Sequence, residues 1–197
     1  MTMDESASAA IERLSATPWC RALLESPEWT PTRTASRSPK PSGEDSFFAE
    51  TLRSSRTIRS CTTLQPTEES KKGVEGVYHD SVHVIFEIGD GLNGHPNIAH
   101  GGFVATMLDE SMGVLLTINM ETKMKKRMRP HEGMNCFTAY LNISYKKPLP
   151  APGIVLCTAK IVRRERNKIH MRATVEDGEG TVFTVGEGMF VEVNTKL

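Results

Sequence analysis

The stretch His100-Gly101-Gly102-Phe103-Val104-Ala105-Thr106-Met107-Leu108-Asp109 decides how this chain is read. Two glycines remove the side chains that would keep a ligand away from the backbone, and the apolar residues after them fall at helical spacing. A helix opening there leaves its first N–H groups without internal acceptors, so the turn is an anion-seeking notch. The plain alternative is a tight turn into a helix and nothing more, which is the better reading of the triplet alone. Asp109 shifts that balance. Gly102 and Asp109 lie on nearly the same helix face at ~100° per residue, yet ~10 Å apart along the axis at ~1.5 Å per residue. One reacting carbon cannot easily touch both in one chain. Two antiparallel copies would set the notch of one opposite the carboxylate of the other, so the economical arrangement is an isologous dimer with composite sites.

Working outward, Phe103, Met107, Leu108, Met112, Leu115 and Leu116 predict a core helix over 102–119. A charged connector follows, holding Lys123, Lys125, Lys126, Arg127 and Arg129. It is either a solvated loop or a basic lip for a phosphorylated ligand. Four strands come next, over 134–145, 154–163, 168–176 and 181–193, joined by Pro/Gly-rich and charged turns. Upstream, Val82, Val84, Phe86 and Ile88 alternate with Ser81, His83, Ile85 and Glu87, which predicts a strand, and 57–64 is a weaker one. The segment 89–99 reads as a loop. At the N-terminus two short helices are expected, the second opened by Thr17 and Pro18, then an irregular linker over 30–45 and a short helix near Phe47. The class is α+β: one long helix against a curved antiparallel sheet, with residues 1–55 as a helical extension and linker and 56–197 as the domain proper.

Composition narrows the function classes. With 24 basic and 24 acidic residues in 197, nothing favours nucleic acid or an anionic membrane as a general partner. Cys20, Cys61, Cys136 and Cys157 are scattered, which suits reduced thiols and neither a disulfide framework nor zinc. The apolar runs fall short of the ~20 residues that span a bilayer, so no stable membrane insertion is expected. The start Met-Thr-Met-Asp-Glu is acidic where a secretory signal is basic. The expectation is a cytoplasmic protein. Mitochondria are the alternative, because Ser, Thr and Arg are frequent from Arg13 to Arg37.

His100-Gly101-Gly102, Asp109 and the run Thr138-Ala-Tyr-Leu-Asn-Ile-Ser-Tyr-Lys-Lys-Pro-Leu-Pro150 occur in the order seen in hotdog-fold acyl-CoA thioesterases, and the chain from Val74 onward resembles that family, in particular its phenylacetyl-CoA-thioesterase-like group. The resemblance implies a hotdog fold, a homodimer or dimer of dimers with sites across the interface, an acyl-CoA substrate, and no metal or other cofactor. It implies that Asp109 is the catalytic carboxylate, attacking the thioester or activating a water, and that the Gly101 and Gly102 amides polarise the carbonyl. Otherwise Asp109 is a solvated or salt-bridged helix residue. Glu110, rotated a further ~100°, points elsewhere and is the distant rival.

Similar enzymes also carry an Asn upstream of the His that contacts the thioester, which makes Asn93 and Asn97 candidates. A loop Asn is more often a turn residue. His100 could orient the loop, bond the carbonyl, or satisfy a backbone group. Lys146 and Lys147, ending the strand, are further substrate-binding candidates. Thr138 aligns with a strand hydroxyl that positions the water or the carboxylate. Plain alternation, however, puts it opposite Phe137, Leu141 and Ile143, so only a bulge or a neighbouring protomer would bring it to the site. The rival function is a non-catalytic module binding acyl-CoA or a protein. An acyltransferase or dehydratase on the same fold comes third.

Overall fold

The computed structural model describes residues 7–70, 76–127 and 134–194. Helices α1 (Ala7–Leu14) and α2 (Pro18–Leu24) lead into strands β1 (Trp29–Arg33), β2 (Ile58–Pro66) and β3 (Ser81–Ile88). A small hairpin, β4 (Asn93–His95) and β5 (Ile98–Ala99), precedes α3 (Gly101–Arg127). The chain closes with β6 (Met134–Tyr145), β7 (Gly153–Glu165), β8 (Lys168–Glu176) and β9 (Val182–Asn194). The antiparallel sheet has seven strands in the order β1-β2-β3-β7-β8-β9-β6 and curls around α3.

The alternation in β3 explains the layers. Val82, Val84, Phe86 and Ile88 join Met107, Leu108, Met112 and Leu115 in the main core. Ile85, on the other face, is fully buried with Leu14, Cys20, Leu64 and Leu156 under α1 and α2. Alternating strands thus serve two apolar layers where helices cover both faces. In β9, a Cβ at Gly186 would come within 3.1 Å of Leu108, and one at Gly188 within 3.1 Å of Met112. Bare backbone at these two positions lets α3 lie close to the sheet.

Two expectations are corrected. The segment read as an irregular linker starts with β1, paired in register with β2 from Trp29–Pro66 to Arg33–Thr62, and then buries Thr34, Ser36 and Arg37. The core helix also runs on to Arg127, so Lys123 to Arg127 form its last turns; Arg129 lies outside the described residues. Basic residues at a helix C-terminus complement its dipole. Lys123 pairs with Glu192 at 3.6 Å and Lys126 with Glu69 at 2.6 Å. These contacts make the lysines part of the helix end. Extended to Lys126, α3 is long and apolar enough to cross a membrane, yet half of that window is buried inside the protein. Its composition is that of a core helix.

Candidate active site

Asp109 sits on α3 with its Oδ1 accepting a 2.9 Å hydrogen bond from the Thr138 hydroxyl. The bulge that this contact requires is present: the β6–β9 register slips between Thr138 and Tyr140. Before it, Cys136 and Thr138 face α3; after it, Leu141, Ile143 and Tyr145 do. One extra residue reverses the parity of the strand. Phe137, expected to share a face with Leu141, is instead 57% exposed, and Tyr140 is 43% exposed. Because β6 is the last strand of the sheet, the Asp109–Thr138 pair lies at an open edge.

The glycine turn is held from both sides. The Gly102 N–H donates to His100 Nδ1 at 3.0 Å, and the Tyr145 hydroxyl donates to the Gly101 carbonyl at 2.8 Å. These two groups belong to one peptide unit, so its plane is fixed. The His100 carbonyl accepts from the N–H groups of Phe103 and Val104. What remains is the Gly101 N–H, which has no hydrogen-bond partner among the described residues. With Nδ1 accepting, the ring proton of His100 is on Nε2, on an exposed side chain. Tyr145 had no sequence signal beyond its place in the strand; the bulge sets it on the side of the glycine turn, where its hydroxyl reaches Gly101 while the side chain stays 54% exposed.

The two asparagines separate. Asn97 has φ +59° and its carbonyl accepts from Ala151 N–H, so it is the left-handed turn residue of the β4–β5 hairpin. Asn93 carries a buried Oδ1 without a hydrogen-bond partner among the described residues. Lys146 and Lys147 line a cavity of about 380 Å³ together with Gly101, Val104 and Tyr145.

Glu110 points away from Asp109, towards the segment 34–52, where the Ser36 hydroxyl donates to its Oε1. Burial pushes its carboxyl up to about 7, against the Ser36 bond that lowers it, with Asp45 and Asp109 adding to the rise. The cysteines are no nucleophiles: burial pushes Cys20 and Cys61 up to about 12 and Cys136 up to about 11, far from thiolate.

Residues 96–184, which hold Gly101, Gly102, Asp109 and Thr138, match the family model of the thioesterase superfamily. Over this stretch, a little under half of its length, the chain is similar to the thioesterase superfamily, and its sheet curled around α3 is the hotdog fold. Mouse acyl-coenzyme A thioesterase THEM4 is 29% identical over 111 residues, 56% of this chain and 42% of that protein. Human acyl-coenzyme A thioesterase THEM5 is 28% identical over 110 residues, 55% of this chain and 39% of that protein. The chain therefore spans less than half the length of these relatives. A thioesterase of Haemophilus influenzae superposes with a TM-score of 0.50 at 15% identity, covering 66% of this chain and 80% of that one. The hotdog architecture is common to both.

Proposed function

We propose that this protein hydrolyses acyl-CoA thioesters to a free acid and CoA, at sites shared between the two subunits of a homodimer. The observation that carries the reading is the Asp109–Thr138 hydrogen bond on the helix that opens with the glycine turn. Thr138 occupies Oδ1 and leaves Oδ2 to react. In the general-base route, Oδ2 takes a proton from water, the water oxygen bonds to the thioester carbon, and the collapsing intermediate expels the CoA thiolate, which recovers the proton. In the nucleophilic route, Oδ2 itself bonds to that carbon, the C–S bond breaks to release the CoA thiolate, and water then opens the anhydride to give the free acid and the Asp109 carboxylate, its proton going to the thiolate. In both routes negative charge grows on the carbonyl oxygen, and the unengaged Gly101 N–H is the amide available to receive it. One such donor is worth ~3–4 kcal/mol of barrier. The Nε2–H of His100 is a second donor beside it.

Gly101 and Asp109 are separated by ~12 Å along one helix axis, so the donor and the carboxylate of one site come from different subunits. The uncovered edge of β6, with Phe137 and Tyr140 exposed, is the surface on which a second copy pairs. Lys146 and Lys147, beside Gly101, suit the phosphates of CoA. The test is steady-state hydrolysis of an acyl-CoA panel by wild type and Asp109→Asn. The substitution keeps the shape and is expected to lower kcat by roughly 10²–10⁴, with an unchanged circular dichroism spectrum. Equal turnover by the variant removes Asp109 from the mechanism. A folded wild type that binds CoA and hydrolyses no acyl chain would make the protein a binding module.

A further inference from the structure

On the face of the sheet turned away from α3, a cavity of about 60 Å³ opens between α1 and the strands β1 and β2. Its place follows from the alternation of β2. Cys61 joins the main core, whereas Leu64 packs under α1 and α2, so Ser60 and Thr62 point to the α1 side. Arg33, Arg37, Arg53 and Arg59 line the cavity, and no Asp or Glu does among the described residues. Arg33 donates to the Arg37 carbonyl at 2.9 Å, and Arg59 reaches Glu87, a carboxylate shared with Arg13 and Ser60. Arg37 is 5% exposed, and the carbonyls of Phe48, Leu52 and Ile58 take three of its five N–H groups. Its Nε–H and one Nη2–H are left over. Burial lowers its pKa, and the neighbouring charges of Arg53 and Arg33 lower it further, yet a guanidinium stays charged. Thr62, 4% exposed, has a hydroxyl without a hydrogen-bond partner among the described residues. Buried donors without acceptors are uncommon, and here they border the same small space.

We propose that this cavity binds a phosphoryl group, as inorganic phosphate or as the phosphate end of a larger molecule, held by Arg33, Arg37, Arg53 and Arg59 together with the Thr62 hydroxyl. At ~15 Å³ for each oxygen-sized group, the space admits roughly four, the oxygens of one phosphate. Guanidiniums present paired N–H groups in a plane, which match two phosphate oxygens at a time. A dianion also relieves more of the repulsion among the arginines than a carboxylate does, because it brings twice the charge. The inference stands apart from the thioesterase reading. His100, Asp109 and Thr138 do not line the cavity, and the core face of the sheet lies between them and it. Its walls come from α1, β1, β2 and the segment that Arg37 fastens, all outside the residues 96–184 that match the family. The bound anion ties these pieces together, so it acts on the stability of the extension.

The test titrates inorganic phosphate into the full chain by calorimetry at constant ionic strength, with sodium chloride as the control. One phosphate per chain is expected. Binding should weaken about tenfold in Arg53→Gln and in Arg59→Gln, and stay unchanged in Arg172→Gln, whose side chain lies exposed between β8 and β9. Arg59→Gln, with its side chain 46% exposed, carries the test alone if Arg53→Gln does not fold. Hydrogen exchange should slow in β1 and 34–62 when phosphate is added to the wild type, and the slowing should be lost in Arg59→Gln. Undiminished binding in a folded variant, or no saturation beyond the chloride control, overturns the site. Acetate binding as tightly as phosphate overturns the phosphoryl class. Co-sedimentation with phosphatidylcholine vesicles carrying phosphatidic acid separates the sources. Phosphate binding without co-sedimentation is expected and sustains the site for a soluble phosphate, whereas co-sedimentation that Arg59→Gln abolishes sustains it for a lipid headgroup. Hydrolysis of acyl-CoA enters none of these readouts, so the failure of either reading leaves the other standing.

Discussion

The β7–β9 meander and the segment 34–52 are both packed against the same core, but they are held by opposite chemistry. The meander presents Val155, Cys157, Ile169, Met171, Ala173 and Val175 to the core, and its strands pair along their whole length. The segment 34–52 adds Phe48 and Leu52 to that core and is pinned in addition by polar groups. Thr34 bonds the Cys61 carbonyl at 3.1 Å and shares a 2.9 Å bond with Thr63, and Ser36 bonds Glu110. Arg37, only 5% exposed, donates to the carbonyls of Phe48, Leu52 and Ile58. Area burial is non-directional and tolerant of small shifts, whereas a guanidinium shared among three carbonyls works in one geometry. The meander makes the fold, and the polar segment makes one particular wall of it.

The largest effect separating the two regions is expected from Arg37→Met. The stem is kept, but three buried acceptors lose their donor, at a cost of roughly 3–5 kcal/mol. In the meander, Met171→Ala should cost a similar ~2–5 kcal/mol by leaving a cavity. Hydrogen exchange tells them apart. Arg37→Met should expose amides in β1 and 34–58 while protection over 153–194 persists, because the segment opens as a local unit. Met171→Ala should lower protection throughout. Uniform loss in both variants would make the extension part of the same cooperative unit and erase the distinction.

That difference also governs what could be read from the sequence. The alternation in β3 and the helical spacing from Phe103 to Leu116 mark apolar periodicity, and periodicity together with turn residues marks the central helix and the strands β2, β3 and β6–β9 around it. A Thr-Ser-Pro-Arg stretch carries no such period, so 30–45 looked like a linker although β1 and Arg37 lie in it. Nothing local says that an arginine will be buried, because its partners are carbonyls supplied by Phe48 to Ile58. The site divides in the same way. Asp109 and the glycines were legible from spacing along one helix. Thr138 required a bulge that alternation could name but not locate, and Tyr145 depended on that same parity change.

A second effect, of intermediate size, lies at the contact between the polar segment and α3. Glu110 holds its proton up to about 7 in the folded chain, against 4.5 ordinarily. Below 4.5 both states are protonated and no penalty exists. Between 4.5 and 7 the unfolded chain ionises while the folded one does not, so stability falls as pH rises, by up to about 3 kcal/mol in all. Glu110→Gln removes this linkage. Denaturant titrations at pH 5 and pH 8 should therefore show the wild type losing stability relative to Glu110→Gln. A difference between the two proteins that is constant with pH would mean that Glu110 is ionised in its folded setting.

The smallest effects come from ion pairs at the rim of each region. Arg172 and Glu187 bridge β8 and β9 at 3.5 Å with both side chains more than half exposed, so Arg172→Ala should change stability by no more than about 0.5 kcal/mol. Arg13 reaches Glu87 at 2.7 Å from α1, with exposures of 26% and 16%, and the same carboxylate also takes Arg59 and Ser60. Removing Arg13 leaves a partly buried carboxylate with fewer donors, and roughly 1 kcal/mol is expected. Both values follow from chemical denaturation at low and high salt. The Arg172 effect should vanish with added salt, and that of Arg13 should largely persist, because screening acts on exposed charges. The β8–β9 rim would then owe nothing measurable to this exposed pair, while the extension adds polar contacts at Arg13 and Arg37 to the apolar packing of Leu14 and Cys20. Equal sensitivity of the two pairs to salt would break that contrast at the point where it is easiest to measure.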